Sequence, residues 1–506
     1  MGIRREITKL VVCVGVPFGC ALLVSASITT KPGAAGEKFG SAAQQPQASS
    51  TPATTTNVIG GSQIHQQPSH STARDPGPRV GDNGTGGAIS PLDPQETEYF
   101  VDGQSRFMET DSVSGTAPGE PGKGLGPTFN SNSCASCHAQ PAAGGSSPAV
   151  NPQVQLATDY GANNSLPSFI TTDGPVLEVR FPFVVSASGN VTQTPDGGVH
   201  GLFTIAGRND APGCSMSQPN FAQMERLNNI IFRIPTPVFG TGLIENISDA
   251  TILSNMNASS EQKERLGISG HPNFSGNDGT ITRFGWKAQN KSLEVFAGEA
   301  YNVEMGVTNE LFPEERSAGP AACHPNPTPE DRTNFAASGA GIPSDLVGFA
   351  TFMRFLAPPT PTTQGIPNNP SASSIANGRA VFSQVHCDMC HTPAMQTATS
   401  SLSAGLNNQS AALFSDLLVH HMGYGLADRV SQGSAGPDEF RTAPLWGVGQ
   451  RLFFLHDGRA TPANGGLLTA IQDHAGNGSE ANGVINLFQQ LRDQDKQDLL
   501  NFLRSL

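Results

Sequence analysis

Basic charge is scarce in this chain. Twenty-nine Lys and Arg face 42 Asp and Glu, which sets the formal charge at −13 over 506 residues. Such a surface repels nucleic acid and anionic membranes, so no nucleic-acid partner is expected, and it suits a basic protein partner. Cysteine is scarce too. Eight are present, and beyond the pairs Cys134/Cys137 and Cys387/Cys390 there is no further C-x-x-C to pass disulfides along. Convincing extra soft ligands near either pair are missing, which argues against zinc. Hydrophobic types reach only 37%. A chain of this length has room for roughly two to four domains, and their cores must be completed from some other source.

What is present is a pentapeptide that occurs twice, Cys134-Ala-Ser-Cys137-His138 and Cys387-Asp-Met-Cys390-His391. Two cysteines separated by two residues, followed at once by histidine, form a c-type haem attachment site. The thiols bond to the porphyrin vinyl groups, and the histidine supplies the proximal iron ligand. A redox-active disulfide is the other reading of each pair. Two covalently bound haems would also make up for the missing apolar core.

Arg4, Arg5 and Lys9 precede an apolar run from Leu10 to Ile28, with small residues at Ser25-Ala26-Ser27. This is the layout of a secretory signal. The run is long and broken by Pro17, so an uncleaved inner-membrane anchor is the alternative. Both place the body in the periplasm, which agrees with haem attachment outside the bacterial cytoplasm. Removing Arg4, Arg5 and Lys9 together with Glu6 takes the charge from −13 to −15. Of the six cysteines that remain, Cys214 and Cys323 are either a disulfide or two separate buried thiols.

Residues 29–95 are rich in Ser, Thr, Gln, Gly, Pro and Ala, lack periodicity, and read as a disordered tether. The rest is a diverged duplication. Asp102-Gly-Gln-Ser-Arg-Phe107 is echoed by Asn377-Gly-Arg-Ala-Val-Phe382 ahead of each attachment site. Phe232–Gly240 is echoed by Phe440–Gly449 after it, and Asp345–Leu356 by Asp498–Leu506 at each close. Leu346, Phe349, Phe352, Met353 and Leu356 recur at helical spacing, which predicts a helix covering one side of a haem. Pro358-Pro359 stops it. The expected fold is mainly α. Residues 96–359 form a first haem domain, 360–374 a linker and 375–506 a second haem domain. Irregular loops and a small hairpin fill the insertion between Pro148 and Ala340.

Asn132-Ser-Cys-Ala-Ser-Cys-His138, Phe284-Gly-Trp-Lys-Ala288, Asn302-Val-Glu-Met-Gly-Val-Thr-Asn309, Cys390-His-Thr-Pro393 and Leu455-His-Asp-Gly458 together resemble the bacterial di-haem oxidoreductases. That family is classed as thiol oxidoreductases or peroxidases. It is related to di-haem cytochrome c peroxidases and to the enzyme that matures tryptophan tryptophylquinone. The resemblance covers nearly everything from Glu96 to Leu506. It implies two cytochrome c-like domains facing one another, one haem reacting and the other relaying electrons.

In the peroxidase relatives a short helix after the His-Asp-Gly segment supplies the sixth ligand. The matching helix here is Gly466–His474, which offers His474, with Met422, His420, His421 and Met395 as competitors. His456 would shape the pocket or bind a propionate. Arg441, Arg451 and Arg459 match propionate carboxylates, and Lys287, Arg208 and Arg233 are further partners. The corresponding segment of the first half has Glu245 where histidine stood. Met256, His200, His271 or Met305 could close that iron. In an open site, Glu245, Glu299 or Glu304 would move the proton of peroxide. Trp286, one of two tryptophans, is either a redox bridge between the haems or ordinary packing.

Three functions fit. The first is an exported, peroxidase-like oxidoreductase that draws electrons from a small donor protein or a quinol-linked chain and reduces hydrogen peroxide. The second is a di-haem electron carrier without turnover. The third is a thiol oxidoreductase, for which Cys214 and Cys323 would have to be close and reducible. Protein ligands on both faces of both irons favour the carrier, and an open face favours the enzyme.

Overall fold

The computed structural model describes residues 72–81, 84–399 and 403–506. The expected signal or anchor (1–28) and the tether up to residue 71 lie outside the described residues. Among the described residues no helix is long and apolar enough to cross a membrane. Regular structure there is mainly helical, thirteen α-helices joined by short strands and long irregular stretches.

Six helices position the site: α1 (Pro94–Met108), α2 (Leu293–Glu304), α3 (Asp345–Phe355), α4 (Ala372–Gln384), α5 (Leu467–Asp473) and α6 (Asp493–Ser505). The start of α1 is fixed by a capping box. The Asp93 carboxylate accepts from Glu96 N, the Glu96 side chain accepts from Asp93 N, and Pro94 opens the first turn. α1 packs on α3, and α4 packs on α6. Each crossing is made at a duplicated glycine. A Cβ on Gly103 would lie 2.3 Å from Gly348 O, and one on Gly378 would lie 1.9 Å from Asp498 O. Only glycine lets the axes approach this closely.

The two pairs share more than the crossing. Phe107 meets Phe352 at 4.9 Å between ring centroids, and Phe382 meets Phe502 at 5.7 Å. The same two rings lean on the attachment-site histidines, Phe107 on His138 at 6.0 Å and Phe382 on His391 at 6.4 Å. The two large hydrophobic clusters form, one around α1 and α3 and one around α4 and α6. Gly378→Val should therefore cost about 1–3 kcal/mol through overpacking, read as a lower denaturant midpoint. Gly476→Ala, where a Cβ meets nothing within 4 Å, is the control and should not move it.

Strands are short. β1 (Glu178–Arg180) is the centre of an antiparallel sheet between Val199–His200 and β2 (Ile231–Arg233). β3 (Val419–His421) pairs antiparallel with β4 (Glu439–Arg441), His420 opposite Phe440. The hairpin expected in the insertion is Phe183–Val185 with Val191–Pro195. Cys214 and Cys323 are disulfide-bonded and buried, at 8% and 0% exposure, which leaves the bond out of reach of a thiol partner.

The tether does not run to residue 95 as expected, because the chain from residue 72 is tied to the second cluster. Arg504, fully buried, donates to both Asp75 oxygens at 2.7 and 2.6 Å. Arg79 donates to Leu506 O at 3.2 Å, and Ala73 joins the core around α4 and α6. A polar segment held by single ion pairs carries no periodicity for a sequence reading to find.

Candidate functional site

The two pentapeptides line separate cavities. One, of 160 Å3, surrounds Cys134, Cys137 and His138, and the other, of 210 Å3, surrounds Cys387, Cys390 and His391. Trp286 lines both. Burial pushes the Cys387 thiol up to about 12 and the Cys137 thiol up to about 11, so these sulfurs are not poised as free thiolates. His138 Nδ1 lies 3.0 Å from Gly145 O, and His391 Nδ1 lies 3.0 Å from Phe414 O. A carbonyl only accepts, so each Nδ1 carries the proton and each Nε2 keeps its lone pair for a metal. Burial lowers His138. It takes His391 to about 4, with help from neighbouring His474.

In the second cavity, His474 follows the last turn of α5 and faces His391, ring centroids 6.5 Å apart. Two metal–imidazole bonds of about 2 Å each leave roughly 2.5 Å for the two half-rings, so one iron fits between them. His474 Nδ1 lies 2.6 Å from Ala470 O, which again frees Nε2, and burial lowers its pKa. α5 is aimed by the segment first taken for tether. Asp75 Oδ2 accepts from Leu467 N at 2.8 Å, beside Gly466, whose φ of +54° and lack of Cβ admit the carboxylate.

The cations around this cavity test whether a haem fits. Arg441 Nη1 and Arg451 Nε are buried and have no hydrogen-bond partner. Burial takes both guanidinium groups down to about 10. Unsatisfied buried cations facing a cavity require an anion, and haem propionates would supply it in bidentate-compatible form. His456 also lines this cavity, stacked on Phe440 at 4.1 Å, and burial takes it down to about 4. Of the competing ligands, His420 is spent: its ring nitrogens lie 2.9 Å from Asp416 and 2.9 Å from Glu480. His421 binds Asp438 at the surface, and Met395 sits in the other cluster. Met422 lines the cavity.

The first cavity is different. Among the described residues no second histidine lines it. One face of α2 turns Ala297, Ala300, Tyr301 and Glu304 toward it. Glu304 accepts from Asn130 Nδ2 at 2.8 Å and shares a hydrogen bond with Glu178 of β1. Burial and the Glu178 charge push Glu304 up to about 8. Burial opposes the charge on Glu178 too, but Arg180 and Arg233 outweigh it and hold that carboxyl below its ordinary value. The pair therefore carries one proton near neutral pH, an acid beside a base. Glu178 was not anticipated. Its signal was an acid inside the apolar extended run Val176–Phe181.

The remaining candidates serve elsewhere. Glu245 binds Arg354 Nε at 2.7 Å and accepts from Leu293 N at 2.9 Å, outside both linings. Glu299 accepts from Asn290, and Met256 lies in the helix Asp249–Asn257, also outside both. Arg208 is fully buried against Glu120 and Asp210, each at 2.9 Å. Lys287 Nζ lies 3.1 Å from Asp428 and donates to the Gly436 and Glu439 carbonyls. Arg459 is at the surface on Asp457. Arg233 does line the first cavity, yet its guanidinium is engaged by Asp428 and Gln432, both at 2.6 Å. His200 stacks on Phe181, His271 binds Glu439, and Met305 Sδ rests 3.9 Å from Cys134 Sγ in the first cavity. For Arg208, Arg233 and Lys287 a buried acid distant in sequence, Glu120 or Asp428, has claimed the cation.

Two thiol-bearing cavities share a tryptophan, one holding the facing pair His391 and His474 and one holding a single histidine and a carboxyl pair, an arrangement that suits a two-centre redox protein. The chain belongs to the di-haem oxidoreductase family: residues 189–506 match the family described as "Di-haem oxidoreductase, putative peroxidase". No curated protein matches it. Among solved structures it is similar to hydrazine synthase of Kuenenia stuttgartiensis (13% identity, 90% of this chain and 100% of that one, TM-score 0.33). It is similar also to the diheme peroxidase BthA of Burkholderia thailandensis (14%, 85% and 92%, TM-score 0.30). A third is a MauG-like protein associated with microbial copper homeostasis (17%, 54% and 89%, TM-score 0.25).

Proposed function

We propose that this chain is an exported di-haem c-type cytochrome that reduces hydrogen peroxide. Two cytochrome c-like domains, built on the duplicated helix pairs, would hold one covalent haem each, through Cys134 and Cys137 and through Cys387 and Cys390. When bound, the haems store electrons and cleave peroxide. The observation that carries the reading is the asymmetry of the cavities. His391 and His474 would hold one iron from both sides, which suits electron relay, whereas His138 is the one histidine among the described residues lining the other cavity, so that iron would keep a side for substrate.

Trp286 would carry electrons between the sites. Its Nε1–H donates to Ile234 O at 2.8 Å and its carbonyl accepts from Arg441 N at 2.8 Å, so the ring is fixed between the two cavities. Glu178 takes a proton and Glu304 gives one, as peroxide requires on its way to water. The acidic surface favours a small basic donor protein or a quinol-linked chain, in the periplasm, with the leader either removed or retained as an anchor. The thiol-oxidoreductase reading loses support because the Cys214–Cys323 bond is buried.

Protein from a haem-maturing host should carry two covalent haems, measured as pyridine haemochrome. Electron paramagnetic resonance should give one low-spin and one high-spin ferric signal, and reduced protein should consume peroxide. Two low-spin signals with no peroxide consumption would make the chain an electron carrier instead. Absence of covalent haem would defeat both.

A further inference from the structure

Reduction of one peroxide to two waters takes up two protons and two electrons. The carboxyls placed to deliver those protons, Glu304 and Glu178, are half-buried and face the first cavity, which a bound haem would cover, so each turnover needs a route for their reprotonation. On the other side of Tyr301 lies a third cavity, of 390 Å3, walled by Glu109, Asp111, Asp331 and Asp345 among others. Among the described residues Tyr301 alone lines both this vestibule and the first pentapeptide cavity.

Tyr301 is buried, its ring edge-on to Phe349 at 5.0 Å, and its hydroxyl donates to Asp111 Oδ2 at 3.1 Å. It stands three residues before Glu304, so phenol and carboxyl project from one face of α2. Asp111 is buried too, and its backbone N–H is anchored on Asn132 O at 2.7 Å, in the stretch leading to Cys134.

We infer that Asp111 and Tyr301 form a proton passage from the vestibule to Glu304. The demand for protons rests on the peroxidase reading, but the passage does not. When Asp111 holds a proton, its hydrogen bond to Tyr301 reverses. The phenol oxygen then accepts the Asp111 proton as its own O–H bond breaks toward the cavity and Glu304. The phenol ends neutral, no electron moves, and Asp111 is reloaded from the vestibule.

The surroundings suit this exchange. Burial raises Asp111, Tyr301 opposes, and the charges of Glu109, Asp345 and Asp331 add to the rise. Burial likewise brings Glu330 up to about 7 and Asp331 up to about 6, within the range where they trade protons with neutral water. Of the cations there, Arg106 is held by Asp102 and Asp345, both at 2.7 Å, while Lys123 and Arg332 complete the rim.

The test is hydrogen–deuterium exchange followed by infrared spectroscopy on the haem-loaded full chain. A protonated-carboxyl band lost in Glu304→Gln identifies Glu304. Tyr301→Phe keeps the ring contact and Asp111→Asn keeps the shape. Each should slow exchange of that band on the order of a hundredfold, and Asp111→Glu should restore it. Exchange at the wild-type rate in both variants overturns the passage, as does the absence of any exchangeable band that Glu304→Gln removes. Peroxide consumption in the same samples separates the two ideas. Slowed exchange in a wild-type background that consumes no peroxide keeps the passage and sinks the peroxidase. Peroxide consumption with unslowed exchange does the reverse.

Discussion

His474→Met should raise the midpoint potential of the second haem by some tenths of a volt, within the roughly 0.8 V that axial ligands command. The expectation follows from the ring pair. The ring centroids of His391 and His474 stand 6.5 Å apart with both Nδ1 atoms bonded to carbonyls, so two neutral imidazoles would be offered to one iron. Imidazole favours ferric iron more than a thioether does, so the exchange should stabilise the reduced state. A relay haem of higher potential gives up its electron less readily, and peroxide turnover should fall with it. A spectroelectrochemical titration reads the first effect, and stopped-flow reduction of peroxide reads the second. An unchanged potential and an unchanged low-spin signal would remove His474 from the iron.

The place of His474 opposite His391 was legible because its cues are local: a short motif, a short helix and one histidine where that helix ends. The same holds for Cys134 and Cys137 and for Cys387 and Cys390, each pair lining one cavity with the histidine of its own five-residue motif. It holds for the helix pairs as well, because Gly103 and Gly378 sit at matching places in a repeat and both are needed for the same backbone contact. The cations were not legible in this way. Arg208, Arg441, Arg451 and Arg459 are equivalent on paper. What separates them is whether the fold brings an acid to each, and Glu120 reaches Arg208 from 88 residues away. Arg441 and Arg451 stand out because they line the second cavity with a buried nitrogen unpartnered and, among the described residues, no acid paired to either. Asp75 and Arg504 are 429 residues apart, and no pattern in the polar segment near residue 72 announced their pairing.

The carboxyls show the same limit and lead to the second large effect. Glu245, Glu299 and Glu304 were interchangeable in sequence, but only Glu304 faces the first cavity and meets another acid there. Glu304→Gln should lower peroxide turnover by about 10²–10⁴-fold, the range a positioned proton donor contributes. Wild-type turnover should fall as pH rises through about 8, where Glu304 loses its proton, and the variant should lack that limb. The substitution should move stability the other way. The folded protein raises this carboxyl above its ordinary value, so its contribution is full below the unfolded pKa and is lost as pH climbs toward about 8. Glutamine does not titrate. It can still accept from Asn130 and donate to Glu178, so the variant should match wild type near about pH 4 and melt higher near about pH 9. Thermal melts at the two pH values, set beside peroxide kinetics, check both halves. A variant that keeps its turnover and its pH profile would show that Glu304 moves no proton. A variant that melts below wild type at high pH would show that the folded chain does not force this carboxyl to stay neutral. Lost turnover together with gained stability would mark Glu304 as a group retained for chemistry at the expense of folding.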